Sequence, residues 1–218
     1  MRVVIDSRVA PEARIEFTEA ELLKNETRKA RRGEIILPQQ VTEKLGLVYT
    51  PEQLQVPLPS VETLSWCQGH NFAVIAKPPM SMTLIEIIVL FFKNSPPPTP
   101  EFLAGVQELP SEDVLQPGWL MLGKTPLENS KKKTWAEQQA ILPDNLHVPS
   151  AVEVIYGSLT YGLVYGDQLF VADKVRTRTL MFGKRVRVGW FDSLGFTAYH
   201  DKDDERSWES ELAVALKD

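Results

Sequence analysis

Residues 117–142 constrain the fold most, because they contain a match to the phosphate-loop pattern of nucleotide hydrolases. Gly118 is followed by four residues and then by Gly123, Lys124 and Thr125. In a true phosphate loop a strand leads into a glycine-rich turn, the N–H groups of the turn wrap the phosphates, and a helix begins at the Lys-Thr end. Such a chain would be a nucleotide-binding enzyme built on a parallel sheet.

The residues inside and after the match indicate a different local structure. Positions 119–122 (WLML) are bulky and apolar, as in a core strand, and would hinder the close approach of a phosphate to the backbone. Pro126 disfavours helical geometry at Thr125, and the next helix signal is a capping box formed by Thr134 and Glu137. We therefore assign no nucleotide-binding residues, expect no phosphate to bind, and predict three elements: a core strand at 119–122, a turn at 123–130 and a helix at 134–142.

Composition narrows the class of protein. Apolar residues make up 43% of the 218 residues and charged residues 24%, as in folded globular proteins, and the net charge of −5 gives no overall attraction to nucleic acid or to an anionic membrane. The single cysteine, Cys67, excludes an intrachain disulfide and fits a reducing compartment. The most apolar run, 82–92, contains Glu86 and is shorter than the roughly 20 residues that span a bilayer. These features, with an N-terminus that does not resemble a secretory signal, predict a soluble, cytoplasmic protein without a membrane partner.

The order of periodic segments predicts an α+β fold, with helices packed on a C-terminal antiparallel sheet and a mixed α/β N-terminal half. Alternating residues at 175–180, 185–191 and 195–200 predict three antiparallel strands. Apolar residues at nearly helical spacing predict a helix from Ala151 to about Tyr165. Further strands are expected at 2–6, 15–17 and 71–76, and further helices from about 19 and at 60–66. Residues 82–94 are apolar nearly all round and predict a buried helix, with a strand as the alternative.

We expect one domain over residues 1–218, with a small N-terminal subdomain at 1–57 and an internal connection at 94–101. The connection contains four prolines within the sequence SPPPTP, which impose an extended polyproline conformation. It is interpreted as a linker or rigid surface loop. A proline-rich ligand for an aromatic groove is the alternative.

Residues 33–47 (GEIILPQQVTEKLGL) locally resemble the swapped-hairpin DNA-binding regulators and antitoxins, which carry a similar Gly-strand-Pro-helix-Leu-Gly stretch. In those proteins a Gly-Asp turn and another strand pair normally follow. Here the continuation is VYTPEQLQVPLP, which has three prolines and no such turn. The resemblance covers 15 of 218 residues, and no functional residue is carried over from it.

A basic hairpin provides the candidate site. Residues 174–190 contain six cations and no acid, and strand alternation gathers arginines on one face if the two strands pair. Such a ribbon binds phosphates without sequence preference, and an aromatic side chain beside it can stack a base. The nucleic-acid-binding candidates are Arg176, Arg178, Arg185, Arg187 and Phe191. The alternative is a half-buried sheet with a solvated face, whose arginines pair with the acidic segment 201–205.

The remaining clusters do not form a coherent catalytic or metal site. Cys67 and His70 have the spacing of half a zinc site or of a nucleophile with its base, but the other two histidines are isolated in sequence. The acidic segment lacks the spacing and the glycine of a calcium loop. We therefore predict no cofactor, no metal and no catalytic residue.

The leading functional prediction is a binding module that is not an enzyme and has an unknown protein partner. Nucleic-acid binding through the basic hairpin is the alternative, and a phosphate-loop enzyme is the disfavoured third reading. Oligomeric state is not readable from the sequence.

Overall fold

The computed structural model describes residues 3–5, 15–17, 35–54, 57–93, 112–167, 169–170, 174–192, 195–201 and 210–217. Within these ranges the fold is α+β, as predicted, with a C-terminal antiparallel sheet. The described helices are α1 (Pro38–Leu45), α2 (Pro51–Leu54), α3 (Val61–Gly69), α4 (Leu84–Phe92), α5 (Trp135–Ala140) and α6 (Ala151–Tyr165). The described strands are β1 (Val3–Ile5), β2 (Ile15–Phe17), β3 (Ile35–Ile36), β4 (Phe72–Ala76), β5 (Met82–Thr83), β6 (Val114–Leu115), β7 (Trp119–Gly123), β8 (Leu146–His147), β9 (Lys174–Met181), β10 (Lys184–Asp192), β11 (Gly195–Asp201), β12 (Ser210–Leu212) and β13 (Ala215–Leu216).

A five-stranded sheet in the order β3-β4-β7-β13-β8 forms the centre of the fold. Strand β3 runs parallel to β4, and the other neighbouring pairs are antiparallel. Both faces are covered, one by α6 and the other by α3 with its neighbours. Every residue of β4 is therefore buried, which explains why its sequence, FAVIA, is apolar without alternation.

The C-terminal sheet has the order β11-β10-β9-β12. Strands β9, β10 and β11 pair antiparallel as predicted. The β9–β10 turn places Phe182 and Gly183 at φ values of 52° and 74°, the two positive values that a type I′ hairpin turn requires. Helix α6 packs between this sheet and the central one, so residues of both sheets share one apolar core.

Helix α6 ends where the sequence predicted. Ser150 and Glu153 form its capping box, and Gly166 closes it at φ 70°. Gly157 lies against β7: a Cβ added there would be 2.6 Å from the Leu122 Cδ2 atom. The glycine that weakens the helix in isolation is thus the residue that lets α6 approach the sheet.

Residues 210–216 form two short strands that the sequence analysis did not predict. Residues 210–212 form β12, which runs parallel to β9, and residues 215–216 form β13, which lies between β7 and β8 in the central sheet. Two adjacent short strands therefore join the two sheets. Strands of two or three residues carry too little periodicity to be recognised in the sequence.

The other predicted elements are placed as follows. The strands near 2–6, at 15–17 and at 71–76 and the helix beginning after Ser60 are confirmed. Helix α4 begins at Leu84 rather than near 82, since residues 82–83 pair with β6, and its outer face is exposed. The predicted helix from 19, the connection at 94–101 and most of the acidic segment lie outside the described residues. Among the described helices none is long and apolar enough to cross a membrane.

Candidate functional site

The strand register shows how the basic hairpin is arranged. Arg176 lies opposite Arg187, and Leu180 lies opposite Arg185, so that the arginines share one face of β9 and β10. The other face carries the buried side chains of Val175, Val186 and Val188. The sequence reasoning on strand faces therefore agrees with the pairing.

Arg176 corrects the expectation that this shared face is a solvated cationic surface. Its side chain is 0% exposed, and its Nη1 atom donates to the Gln138 Oε1 atom at 3.1 Å and to the Lys133 carbonyl at 3.3 Å. Helix α5 and the residues before it cover this part of the sheet. Arg176 is thus a structural residue, out of reach of a nucleic-acid phosphate.

The neighbouring arginines also make internal contacts. Arg178 is exposed and forms an ion pair of 3.3 Å with Glu153 at the beginning of α6. The Arg185 guanidinium lies 4.1 Å from the centre of the Trp135 ring and donates to the Arg178 carbonyl at 2.6 Å. Arg187 is half-buried, and the Phe191 side chain lies outside the described side chains. Nucleic-acid binding by this hairpin remains a prediction.

The phosphate-loop match is a strand and a turn, as predicted. Residues 119–123 are β7, hydrogen-bonded along their length to β4. After β7, the Lys124 N–H donates to the Asn71 carbonyl and the Lys124 carbonyl accepts from the Phe170 N–H. The helix begins only at Trp135, capped by Thr134 and Glu137. No helix N-terminus therefore follows the Lys-Thr pair.

Cys67 and His70 do not face one another. Cys67 is the buried residue of α3, and burial raises the pKa of its thiol to about 11. His70 is exposed, stacks on Trp66 with ring centres 4.1 Å apart, and places its Nδ1 atom 2.8 Å from the Trp66 carbonyl. In the described part of the chain no group of three His, Cys, Asp or Glu residues is arranged to hold a metal ion.

A pocket of about 220 Å³ lies at the edge of the central sheet, where β3 and β4 end and β7 begins. Segments far apart in the sequence form its walls: the start of α1, the α2 region, the turn after β4 and the turn before β7. Its lining is mainly apolar and includes two aromatic rings. The residues are Leu37, Pro38, Gln39, Tyr49, Gln53, Leu54, Leu58, Ala76, Lys77, Pro78, Pro79, Pro117, Gly118 and Trp119.

Internal hydrogen bonds hold the pocket walls in place. The Tyr49 hydroxyl donates to the Lys77 carbonyl at 2.9 Å, and burial raises the pKa of this hydroxyl. The Gln53 Nε2 atom donates to the Pro79 carbonyl at 2.7 Å, and the Trp119 indole N–H donates to the Pro57 carbonyl at 3.0 Å. Because the polar atoms of both aromatic residues are already bonded, their rings meet the pocket as apolar surfaces.

Lys77 is the charged residue of this lining. Its side chain is 9% exposed, and its Cε and Nζ atoms lie 3.6 and 3.9 Å from the position that a Cβ of Gly118 would occupy. Gly118 itself has a φ of 124°, a backbone conformation that favours glycine. Within the described residues the Lys77 ammonium forms neither a hydrogen bond nor an ion pair.

Apolar side chains continue outwards from the pocket. Leu54 and Leu58 line the pocket and are 47% and 37% exposed, so that they present apolar surface at its mouth. We call these two residues the rim. A cluster of exposed apolar side chains around a pocket is typical of an interaction site.

Comparison with protein-family models, curated proteins and solved structures finds no match to this chain. The geometry of the pocket is therefore the basis on which its function is proposed.

Sequence reasoning did not find the pocket. The sequence does contain a local signal for the turns of the pocket, since Pro78 and Pro79 follow β4 and Pro117 precedes β7. Nothing in the sequence indicates that these turns meet Tyr49 and Trp119, because tertiary packing brings the segments together.

Proposed function

We propose that the protein is a non-catalytic binding module that holds a short segment of a partner protein in the pocket. The observation that carries this proposal is the combination of an apolar pocket with an apolar rim. A small ligand would be enclosed by the pocket alone, whereas a partner segment also covers the side chains around the mouth.

The construction of the walls supports a binding role. The hydrogen bonds of Tyr49, Gln53 and Trp119 fix α2 and the two turns before any ligand arrives. A preformed site loses less conformational entropy when a ligand binds, so more of the contact energy contributes to affinity. Rigid aromatic side chains are also the residues that most often dominate binding energy at protein interfaces.

The chemistry of the pocket gives no support to a reaction. Among the described residues of its lining there is no acidic, cysteine, serine or histidine side chain. Tyr49 is held by its bond to the Lys77 carbonyl, and its raised pKa keeps it protonated at neutral pH. The proposed setting is the cytoplasm, where a lone buried thiol such as Cys67 stays reduced.

The test is selection of binding peptides from a displayed random library, followed by affinity measurement on purified variants. Leu54→Asp places a charge on the rim, and Val89→Asp places the same charge on the outer face of α4, where Val89 is 63% exposed. We expect Leu54→Asp to weaken binding at least tenfold, since a carboxylate is desolvated against apolar groups, and Val89→Asp to leave it unchanged. Equal affinities for the two variants, or selection of no peptide, would refute the proposal.

A further inference from the structure

We propose that the pocket recognises the C-terminal end of a partner chain, with an apolar last side chain in the pocket and its free carboxylate at Lys77. This inference rests on the proposed binding function and adds the chemical class of the ligand. It is carried by Lys77, a residue that is 9% exposed, lines the apolar pocket and has no counter-charge among the described residues.

A cation in an otherwise apolar lining favours a ligand that carries a negative charge. Lys77 shares the pocket lining with Pro78, Pro117 and Trp119, and its Cε and Nζ atoms lie beside Gly118, which also lines the pocket. A bound carboxylate would supply the missing negative charge. The resulting charge-assisted hydrogen bond would be stronger than one between neutral groups.

The beginning of α1 adds a second source of positive potential. Leu37, Pro38 and Gln39 line the pocket at the N-terminus of this eight-residue helix. The first N–H groups of a helix have no intrahelical acceptor, and the helix dipole favours an anion there. Gln40 accepts from the Leu37 N–H at 3.0 Å and so caps the helix from within, while the N–H of Gln39 has no acceptor inside the helix.

A chain end fits the chemistry of the pocket better than an internal segment. A chain end brings both an apolar side chain for the apolar lining and a carboxylate for Lys77, whereas the backbone of an internal segment carries no charge. The rim then contacts the preceding residues of the partner. Carboxylate capture together with a specific apolar pocket is a recurrent mode of peptide recognition.

The experiment measures, by fluorescence anisotropy, the binding of labelled hexapeptides that end in each apolar or aromatic amino acid. Every peptide is made as the free acid and as the C-terminal amide. A third form carries glutamate as its last residue with an amidated end. We expect at least one free acid to bind ten or more times tighter than its amide and than the glutamate form.

Variants of Lys77 test the role of the ammonium group. Lys77→Met retains the length of the side chain without its charge, and we expect it to bind acid and amide equally, with the affinity that the wild type shows for the amide. Lys77→Arg retains the charge and should keep a preference for the acid. Thermal unfolding of each variant confirms that it is folded, and the acid–amide comparison on the wild type does not depend on either substitution.

The outcomes separate the two proposals. If peptides bind but the acid and amide forms are equal, the C-terminal recognition is wrong while the binding function stands. If the amidated glutamate form binds as tightly as the free acids, a side-chain carboxylate is recognised and the assignment of a chain end is overturned. If no peptide of any form binds, both proposals fail. A medium-chain fatty acid is measured in parallel, and if it binds tightly while no peptide does, the choice of a protein partner is overturned.

Discussion

Gly157 provides the most direct test of how α6 packs on the central sheet. A Cβ added at this position would lie 2.6 Å from the Leu122 Cδ2 atom and 3.2 Å from the Leu120 Cδ2 atom. Carbon atoms in contact normally lie about 3.5–4.0 Å apart. The substitution Gly157→Ala therefore requires a shift of roughly 1 Å in a side chain that is fully buried on a hydrogen-bonded strand.

The expected free-energy change follows from two opposing effects. Overpacking a close-packed core costs about 1–3 kcal/mol, whereas replacing a helical glycine by alanine stabilises by up to about 1 kcal/mol. Gly157→Ala should thus destabilise by up to about 2 kcal/mol. Gly162 on the same helix is the matched control, since its added Cβ would meet only the Asp167 carbonyl at 3.5 Å, and Gly162→Ala should stabilise by up to about 1 kcal/mol.

Urea unfolding of both variants measures the difference, provided that the denaturant slopes remain equal to that of the wild type. A double mutant that combines Gly157→Ala with Leu122→Ala should be less destabilised than the sum of the single changes, because the new methyl group enters the space that the leucine leaves. If Gly157→Ala stabilises as much as Gly162→Ala, the close approach of α6 to β7 does not limit packing and this reasoning is wrong.

Three further predictions concern the buried polar groups. Gln138→Leu should lower the free energy of unfolding by about 1–3 kcal/mol in urea titration, because the Arg176 guanidinium and the Ser130 carbonyl both lose a hydrogen-bond partner; an unchanged midpoint would contradict the network. Arg176→Glu should lower the Tm strongly and Arg178→Glu only slightly, since only the first buries an uncompensated charge; equal shifts would show that Arg176 is accessible. Cys67 should react slowly with a thiol reagent at pH 8 and faster in urea, and rapid labelling of the folded protein would show that the thiol is exposed. The stability that its protonated thiol contributes below pH 9 should be lost as the pH rises towards about 11.

Elements with strong local signals were predictable from the sequence. The capping box at Thr134 located the beginning of α5, because it satisfies backbone groups with a side chain only three residues away, and apolar spacing located α6. The apolar residues at 119–122, followed by Pro126, excluded a helix at the phosphate-loop match for a similar local reason. Alternation of apolar and polar residues likewise located β9 and β10 and assigned their faces.

Solvent exposure of individual charges was decided by the tertiary structure. Arg176 and Arg178 have the same place in the alternation of β9, yet one is buried and the other exposed, because α5 covers only the first. The exposure of Lys77 was likewise decided by tertiary packing: a lysine that directly follows a strand is often exposed, but this one is 9% exposed. Periodicity reports the face of a strand, but not what packs on that face.

The sequence by itself determined the extent of α6, the beginning of α5, the faces of β9 and β10 and the absence of a phosphate loop, since all of these follow from interactions between residues close in the chain. Tertiary structure alone placed β13 within the central sheet, buried Arg176, and joined Tyr49, Lys77 and Trp119 in one pocket. These contacts link segments separated by tens of residues, and no local pattern encodes them. The candidate site depends on contacts of this second kind, because Lys77 becomes part of a pocket only when distant segments pack around it.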